Sequence, residues 1–352
     1  MSKIAVFTDV HVGARSASSI FCEHQIKFFT EQFIPYLEDH GITEIICCGD
    51  LFDVRKMTNH SILHEWKTRV FDLLRPYKFH LILGNHDVSF RNSLEVNSPS
   101  LFLNEYENII IYDEPTEVIL DETRVVFSPW ICAQNETATL DLLKSTKAKI
   151  VFGHFEIAGF EMHRGQVATD GLSTSLFNKF DSVFSGHFHH RSTDGIINYI
   201  GNPYDLTWAD YGDVRGFCVF DTSTLEHEFI DNPNKVHTKF YYCDESWRGA
   251  NYIDGFDLTG LENTHVKVIV VNKSDLGQFD TFLNRLYNLK LADLKIVEDY
   301  EEMEAVFVDD DKIDLQDTIS LIESYINSIE IDGSKEKLNA LVKGMYLEAM
   351  QL

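Results

Sequence analysis

The stretch Gly84-Asn85-His86-Asp87 directly follows the apolar run Phe79-His80-Leu81-Ile82-Leu83. Such a run is typical of a buried strand, and open α/β folds carry their chemistry beyond the carboxyl ends of their strands. An amide, an imidazole and a carboxylate at this position predict metal ligands and a proton carrier at the edge of a sheet. Because the motif is short, its interpretation depends on the rest of the chain.

Five further apolar runs end in polar residues of the same chemical type. Between residue 1 and about residue 235, these runs alternate with helical patterns, as in a sheet covered by helices. The polar groups that follow the runs are Asp9 and His11, Gly49-Asp50, Gly153-His154, Gly186-His187-Phe188-His189 and Gly201-Asn202-Pro203. The repetition predicts one site that is assembled from several strand ends.

The strand-end groups form a ligand set for divalent cations. Carboxylate, imidazole and amide groups suit Mn²⁺, Fe²⁺ or Zn²⁺, whereas Mg²⁺ alone prefers oxygen ligands and water. The set consists of Asp9, His11, Asp50, Asn85, His154, His187 and His189. These are too many ligands for one ion, so two ions about 3.5 to 4 Å apart, with a bridging carboxylate, would use them all. Each fragment alone is more often a turn or a buried core histidine, but their ordered recurrence favours the metal site.

The composition is that of an ordinary globular protein. The 352 residues are enough for one large catalytic domain and smaller units. No stretch approaches the roughly 20 apolar residues of a membrane span, and no cleavable leader begins the chain, which predicts a cytoplasmic protein. The six cysteines form no CxxC pair, which favours buried free thiols over disulfides or zinc. The net charge of −26 argues against nonspecific attraction to nucleic acid but does not exclude a nucleic-acid enzyme, because bound cations offset acidic ligands.

The pattern changes after about residue 245. Strand patterns at 266–271 and 294–297 flank an amphipathic helical pattern at 279–289, which predicts a small βαβ unit. The acidic segment 298–317 predicts an extended linker, or alternatively a solvated acidic edge. The last 38 residues, 315–352, repeat apolar residues at helical spacing on both sides of a turn. They predict a helical hairpin that packs on its own domain or docks on a partner.

Five segments, in this order, are similar to the five motifs of calcineurin-like metallophosphoesterases. They are Asp9-Val10-His11, Gly49-Asp50-Leu51-Phe52-Asp53, Gly84-Asn85-His86-Asp87, Gly153-His154 and Gly186-His187-Phe188-His189. Within that superfamily, the third motif, the segment 199–203 and the domain order resemble the SbcD-type nuclease subunits of DNA break-repair complexes (the meiotic recombination eleven family). The T-even phage branch of that family is the most similar. Asn202 departs from the pattern, since many relatives carry Ser or Thr there.

The resemblance implies an α/β fold. The expected architecture is a four-layer metallophosphoesterase sandwich, two central β-sheets flanked by helices, with a small α+β capping domain and a C-terminal helical hairpin. The implied segments are a nuclease domain at 1–240, a DNA-capping domain at 241–298, an acidic linker at 299–314 and the hairpin at 315–352. The hairpin would bind an SbcC-type ABC ATPase subunit. Predicted helices at about 61–74 and 99–106 match the places where relatives form a homodimer, with a core-facing role as the alternative.

The resemblance also assigns roles to the predicted ligands. Asp9, His11 and His189 would hold one ion, Asn85, His154 and His187 the other, and Asp50 would bridge them. His86 would not be a ligand but a general acid or a donor to the transition state. The two ions would be Mn²⁺, with Mg²⁺ as an alternative. Backbone phosphates would contact Arg15, Arg55, Lys56, Arg91 and Arg164, although a surface arginine is usually just solvated.

The implied activity is Mn²⁺-dependent hydrolysis of DNA phosphodiesters in double-strand break repair, recombination and replication. It would combine 3′ to 5′ exonuclease action on duplex ends with endonuclease action on single strands, in the host cytoplasm for a phage-encoded chain. The alternatives are a protein phosphatase, a small phosphodiesterase or a noncatalytic scaffold of the same fold. Phosphatases of this superfamily usually carry Asp-Arg-Gly and Glu where this chain has Asp53-Val54-Arg55 and Asp87, which favours the nuclease. The intact ligand set counts against the scaffold.

Overall fold

The computed structural model describes residues 3–163, 165–244 and 258–298. The described residues up to Val297 belong to one compact unit. The linker predicted at 299–314, the hairpin predicted at 315–352 and Arg164 lie outside the described residues. These three predictions therefore remain predictions.

Strands predominate in the described part of the chain. In chain order they are β1 (Lys3–Phe7), β2 (Glu44–Cys47), β3 (Lys78–Ile82), β4 (Val88–Phe90), β5 (Ser93–Asn97), β6 (Ile109–Tyr112), β7 (Thr116–Leu120), β8 (Thr123–Ser128), β9 (Ile150–His154), β10 (Glu161–His163), β11 (Gln166–Val167), β12 (Ser182–Gly186), β13 (Ser192–Thr193), β14 (Ile197–Tyr199), β15 (Gly216–Asp221), β16 (His227–Asp231), β17 (His237–Cys243), β18 (His265–Asn272) and β19 (Asp293–Val297).

The helices lie between these strands. They are α1 (Ser19–Phe28), α2 (Ile34–His40), α3 (His60–Trp66), α4 (Ser98–Phe102), α5 (Glu136–Ser145) and α6 (Leu276–Tyr287). Wider π-helical turns at Phe29–Phe33 and Lys67–Phe71 continue α1 and α3, and short 3₁₀ turns lie at Thr174–Leu176 and Trp208–Asp210.

Two six-stranded sheets form the centre of the fold. The first has the order β16-β15-β1-β2-β3-β6 and the second the order β13-β14-β12-β9-β8-β7. Strands β1, β2, β3 and β6 run parallel to one another in the first sheet, as do β8, β9, β12 and β14 in the second. The strands β15, β16, β7 and β13 at the sheet margins pair antiparallel. Because parallel strands end at the same edge of a sheet, the polar residues that follow them are brought together.

Alternate side chains along a strand face opposite sides of the sheet and so pack into different layers. Ile4 and Val6 of β1 pack into the apolar cluster between the two sheets, whereas Ala5 and Phe7 face a second cluster under the helices. On the outer face of the second sheet, Val151 belongs to a third cluster, which includes side chains of α5. The order of helices, sheet, sheet and helix confirms the predicted four-layer sandwich.

The helix predicted at about 61–74 begins at His60. The Oδ1 atom of Asn59 accepts the backbone N–H of Ser61 at 2.9 Å and so caps α3. Trp66 and Val70 are fully buried in the core of the chain, whereas Leu73 is 49% exposed. Most of the apolar face of this segment therefore packs on its own chain, and the homodimer remains a prediction.

A small third sheet has three parallel strands in the order β17-β18-β19, and α6 connects β18 to β19. This is the predicted βαβ unit. Strand β17, which crosses the predicted domain boundary at residue 240, pairs with β18. A short apolar run does not specify which sheet it joins, because the partner strand decides that.

All six cysteines are free, and all except Cys243 are buried, as predicted. Among the described residues, no helix has both the length and the apolar character needed to cross a bilayer.

Candidate metal centre

The seven residues predicted as metal ligands lie at the carboxyl ends of five strands. The first sheet supplies three of these strands and the second sheet two. The structure brings the seven side chains of both sheets into one pocket. In chain order the pairs are β1 with Asp9 and His11, β2 with Asp50, β3 with Asn85, β9 with His154, and β12 with His187 and His189.

The loops that carry the ligands have an unusual backbone. Asp9, His11, Asp50 and His187 all have positive φ angles, of 51°, 52°, 51° and 86°. The left-handed region costs a residue other than glycine about 1 kcal/mol or more, and such strain is concentrated at functional sites. Hydrogen bonds between the loops hold it in place, since the N–H of Asp9 donates to the carbonyl of Gly49 and that of His11 to the carbonyl of Asp50, both at 3.0 Å.

Asp9, His11 and His189 form a first ligand group, with ligand atoms within 4.8 Å of one another. The Nδ1 atom of His11 lies 3.0 Å from Oδ1 of Asp53, and because a carboxylate only accepts, Nδ1 carries the hydrogen. Nε2 of His11 is buried and has no hydrogen-bond partner among the described residues. Ligand histidines are held in this way by a carboxylate on their other nitrogen, so the group fits a divalent cation.

Asp50, His154 and His187 form a second ligand group with the same spacing. The carbonyl of Cys48 accepts the Nδ1 hydrogen of His154 at 2.8 Å, which leaves Nε2 as the ligand atom. The Oδ1 atom of Asn85 lies 3.0 Å from this Nε2 and 3.0 Å from Nδ1 of His187. A carboxylate, two imidazoles and an amide oxygen therefore converge on one position, a donor set that suits Mn²⁺.

Asp50 connects the two groups. Its Oδ2 lies 3.3 Å from Nε2 of His154 and 3.9 Å from Nε2 of His11. Burial opposes the ionisation of Asp50, but His154 and His86 hold its pKa well below the usual range. Burial also opposes the charging of His11, yet its hydrogen bond to Asp53 and the nearby carboxylates raise its pKa to about 9. The pocket therefore stabilises positive charge, as a site for divalent cations requires.

His86 lies beside the ligands but is held differently. Its backbone N–H donates to Oδ1 of Asp50 at 2.7 Å, and its Nδ1 lies 2.7 Å from the backbone carbonyl oxygen of Asp53. Because a carbonyl oxygen only accepts, Nδ1 carries a hydrogen and Nε2 is the atom that can exchange a proton. The ring centroids of His86 and His11 are 4.8 Å apart. The geometry suits a proton carrier next to the metal ligands.

Asp87 supports two of the ligand loops. It is fully buried, and its two carboxylate oxygens accept the backbone N–H groups of Gly84 and Phe52, both at 2.9 Å. Burial and the neighbouring Asp50 raise its pKa to about 7. Asp87 therefore joins the loop of Asn85 to the loop of Asp50.

The cations predicted to contact DNA have different surroundings. Lys56 and Arg91 are exposed, and Arg55 is partly exposed. Arg15 lies against the small sheet, with Nη1 3.4 Å from Nε2 of His237 on β17. The phosphate contacts of these residues remain a prediction, as does that of Arg164.

Two side chains that the sequence does not single out as site residues also lie at this centre. The ring of Trp130 is centred 5.0 Å from that of His187 and 6.1 Å from that of His154. The buried Arg215 donates a hydrogen bond to the backbone carbonyl of His189. Trp130 could have been suspected from the sequence, because like the ligands it follows the end of a strand, β8. Arg215 precedes β15, so its position in the sequence gives no such indication.

Known proteins share this sequence pattern. The model of the calcineurin-like phosphoesterase family matches residues 2–191. Exonuclease subunit 1 of Enterobacteria phage T4 is 32% identical over 354 residues, which span 99% of this chain and 100% of that protein. An SbcCD nuclease subunit of Staphylococcus saprophyticus is 23% identical over 247 residues, 62% of this chain and 65% of that protein. A solved structure of an archaeal phosphodiesterase aligns with a TM-score of 0.34 and 16% identity, over 65% of this chain and 99% of that one.

The family match spans all five motifs, and the phage relative covers nearly the whole chain. This chain belongs to the calcineurin-like phosphoesterase family of metal-dependent hydrolases.

Proposed function

We propose that this protein is a metal-dependent DNA nuclease that acts in recombination and repair. Its reactions would be 3′ to 5′ exonuclease cleavage of duplex ends and endonuclease cleavage of single strands. The observation that carries the proposal is the pair of ligand groups joined by Asp50. Two adjacent cation sites suit displacement at a phosphate ester. The choice of DNA as substrate is supported by the alignment with the phage T4 exonuclease subunit over 99% of this chain.

The proposed cofactors are two divalent ions, Mn²⁺ with Mg²⁺ as an alternative. The proposed ligands are Asp9, His11 and His189 for one ion, Asn85, His154 and His187 for the other, and Asp50 for both. Bound cations would supply the positive charge that stabilises the phosphoryl oxygens in the transition state. The protein contributes the tautomers of His11 and His154, in which Nδ1 carries the hydrogen and the neutral ring would offer the lone pair of Nε2 to an ion.

His86 is the proposed general acid. Its Nδ1–H is held by the carbonyl of Asp53, so the protonated ring would donate from Nε2 to the departing sugar oxygen. The bond from its backbone N–H to Asp50 fixes it relative to the proposed bridging ligand. Positioned acids of this kind contribute about 100- to 10,000-fold to a rate.

The remaining proposals concern domains and partners. Residues 1–240 would be the nuclease domain and 241–298 the DNA-capping domain. Residues 299–314 would form a linker to a hairpin at 315–352 that binds an SbcC-type ATPase. A homodimer would form through the helices predicted at 61–74 and 99–106. Support for a multisubunit nuclease comes from the two relatives, which are both named as subunits. The reaction would take place in the cytoplasm of the host cell.

The deciding experiment gives the purified protein Mn²⁺ and two substrates, linear duplex DNA and a small phosphomonoester. The nuclease proposal expects DNA cleavage that EDTA abolishes. Hydrolysis of the monoester with intact DNA would instead identify a phosphatase. His86→Ala should keep the Mn²⁺ content and lose about 100-fold or more in cleavage rate. The matched control His60→Ala alters an exposed histidine at the start of α3 and should cleave normally.

The partner proposal has its own test. Deletion of residues 312–352 should abolish binding of the ATPase partner but leave Mn²⁺-dependent cleavage in place. Unchanged binding would contradict the assignment of the hairpin.

A further inference from the structure

A buried arginine lies behind the turn that carries two of the proposed ligands. Arg215 is 5% exposed, and its Nη1 donates both to the backbone carbonyl of His189 and to Oδ1 of Asn202. Its Nη2 donates to Oδ1 of Asp210 and to Oδ2 of Asp213, both at 3.1 Å. One guanidinium thus connects the histidine turn to three other side chains.

The carbonyl of His189 is confined from a second direction. The N–H of Asn202 points at the same oxygen at 3.4 Å. Gly201 has a φ of 73°, and a Cβ atom there would lie 2.8 Å from this oxygen, so no larger residue fits. Arg215 and the 201–202 turn together fix the backbone of His189, and with it the position from which the proposed ligand side chain extends.

The other end of the histidine turn has a separate anchor. The N–H of His187 lies 3.2 Å from both carboxylate oxygens of Asp9, and the preceding residue, Gly186, ends β12. This anchor does not involve Arg215. Loss of Arg215 should therefore release His189 while His187 keeps its place.

The charges around Arg215 decide which substitutions are informative. Its Nε lies 3.6 Å from Oδ1 of Asp205, so three buried carboxylates, with Asp210 and Asp213, surround one cation. Asp213 also contacts His190 and Asp205 also lies near His237, but a neutral residue at 215 would leave the buried Asp210 without its cation, which is strongly destabilising. Lysine keeps the charge but lacks the planar fork that reaches several acceptors at once.

We propose that Arg215 is a positioning residue that holds His189 in place for the ion of the first ligand group. It touches neither the ion nor DNA and acts through the carbonyl of His189. The inference rests on the ligand assignment of the proposed function. The inference predicts that a substitution of Arg215 weakens the binding of one ion more than that of the other, because only one of the two histidines in the turn depends on Arg215.

The test titrates Mn²⁺ alone into metal-free protein and measures free Mn²⁺ by electron paramagnetic resonance. Wild type should bind two ions. Arg215→Lys should bind one ion with unchanged affinity and the other about 10- to 100-fold more weakly, the usual effect of removing a partner that orients a ligand. The control Arg191→Lys changes an arginine that lies two residues after His189 and pairs with Asp231 at 2.9 Å, and it should bind both ions normally.

Binding of both ions by Arg215→Lys with wild-type affinity would overturn the inference, and so would equal weakening of both. If wild type binds no Mn²⁺, the proposed function is wrong as well. Failure of the proposed function is therefore distinguishable from failure of the inference about Arg215. If thermal melting shows that Arg215→Lys does not fold, the double variant Arg215→Met, Asp210→Asn removes the cation together with the buried carboxylate that pairs with it. The same weaker binding of one ion is expected of it, and wild-type affinity for both ions would overturn the inference.

Discussion

Asp53 controls His11 through its side chain: Oδ1 of Asp53 lies 3.0 Å from Nδ1 of His11. The backbone carbonyl of the same residue accepts from Nδ1 of His86 at 2.7 Å. One residue therefore sets the tautomers of a proposed ligand and of the proposed general acid. The two contacts use different atoms, which makes them separable by mutation.

Asp53→Ala removes the contact to His11 and keeps the carbonyl that holds His86. We expect Mn²⁺ affinity to fall about 10- to 100-fold, whereas cleavage at saturating Mn²⁺ should largely recover. Isothermal titration with Mn²⁺ and DNA cleavage at increasing Mn²⁺ measure the two effects. Asp72→Ala, which changes a half-exposed carboxylate paired with Arg75, is the control. An unchanged Mn²⁺ affinity would contradict the role of Asp53.

Gly84→Ala should destroy the site because the backbone at Gly84 lies against Asp50. A Cβ atom at Gly84 would lie 2.1 Å from Oδ1 of Asp50 and 2.3 Å from its backbone nitrogen. Since the carboxylate that joins the two ligand groups must move, we expect loss of Mn²⁺ binding in the same titration. Gly277→Ala is the matched control, because it lies in α6 and its Cβ would find only an ordinary contact at 3.4 Å. This control should bind Mn²⁺ normally and gain about 0.5 to 1 kcal/mol in stability.

Trp130 should report occupation of the second ligand group. Its ring is centred 5.0 Å from that of His187, so a paramagnetic ion bound there would quench its fluorescence. We expect a saturable decrease of tryptophan emission on addition of Mn²⁺, which Trp130→Phe removes. Trp208→Phe, which changes a tryptophan packed on His237 at 4.6 Å, should retain the decrease. Equal quenching in Trp130→Phe and wild type would refute the assignment.

His237 and His265 should each make the metal-free protein less stable as the pH falls below 6.5. Burial lowers the pKa of His237 to about 3 and that of His265 to about 4, so the unfolded chain binds protons at these positions that the folded chain does not. Each such proton costs the folded state about 1.4 kcal/mol per pH unit. Asp205 acts in the opposite direction, because burial raises its pKa to about 7 and the folded chain takes up its proton first. Burial raises the pKa of Asp9 to about 6 and that of Asp87 to about 7, and both act in the same direction as Asp205. The contribution of the two histidines is therefore measured by removing them.

Urea denaturation at pH 7 and pH 5 measures this effect. The variant His237→Gln, His265→Gln should lose much less stability between the two pH values than wild type. An equal loss in both proteins would show that these histidines do not cause the pH dependence.

The five motifs predicted which side chains the structure brings together, because their chemistry is local. A carboxylate or imidazole that follows a buried strand is visible in the sequence, and the parallel pairing of β1 with β2 and β3 then brings such residues to one edge. The alternation of Ile4 and Val6 with Ala5 and Phe7 likewise encodes a strand buried on both faces. The layered fold and the residues that meet at the sheet edges could therefore be predicted.

Contacts between distant segments could not be predicted in the same way. Strand β17 belongs to the small sheet because it pairs with β18. Arg15 contacts His237 of that strand, although the sequence predicted a side chain that contacts DNA phosphates. The hydrogen bond from Arg215 to His189 spans 26 residues and depends on how the strands are placed.

The sequence alone determined which residue types supply the chemistry, in what order, and on what kind of fold, because strand periodicity and strand-end chemistry are local properties. Only the tertiary structure decided which atom of each histidine is available and which side chains hold it there. Asp53, Trp130 and Arg215 take those roles through packing between segments that are far apart in the chain, and no local pattern encodes such contacts.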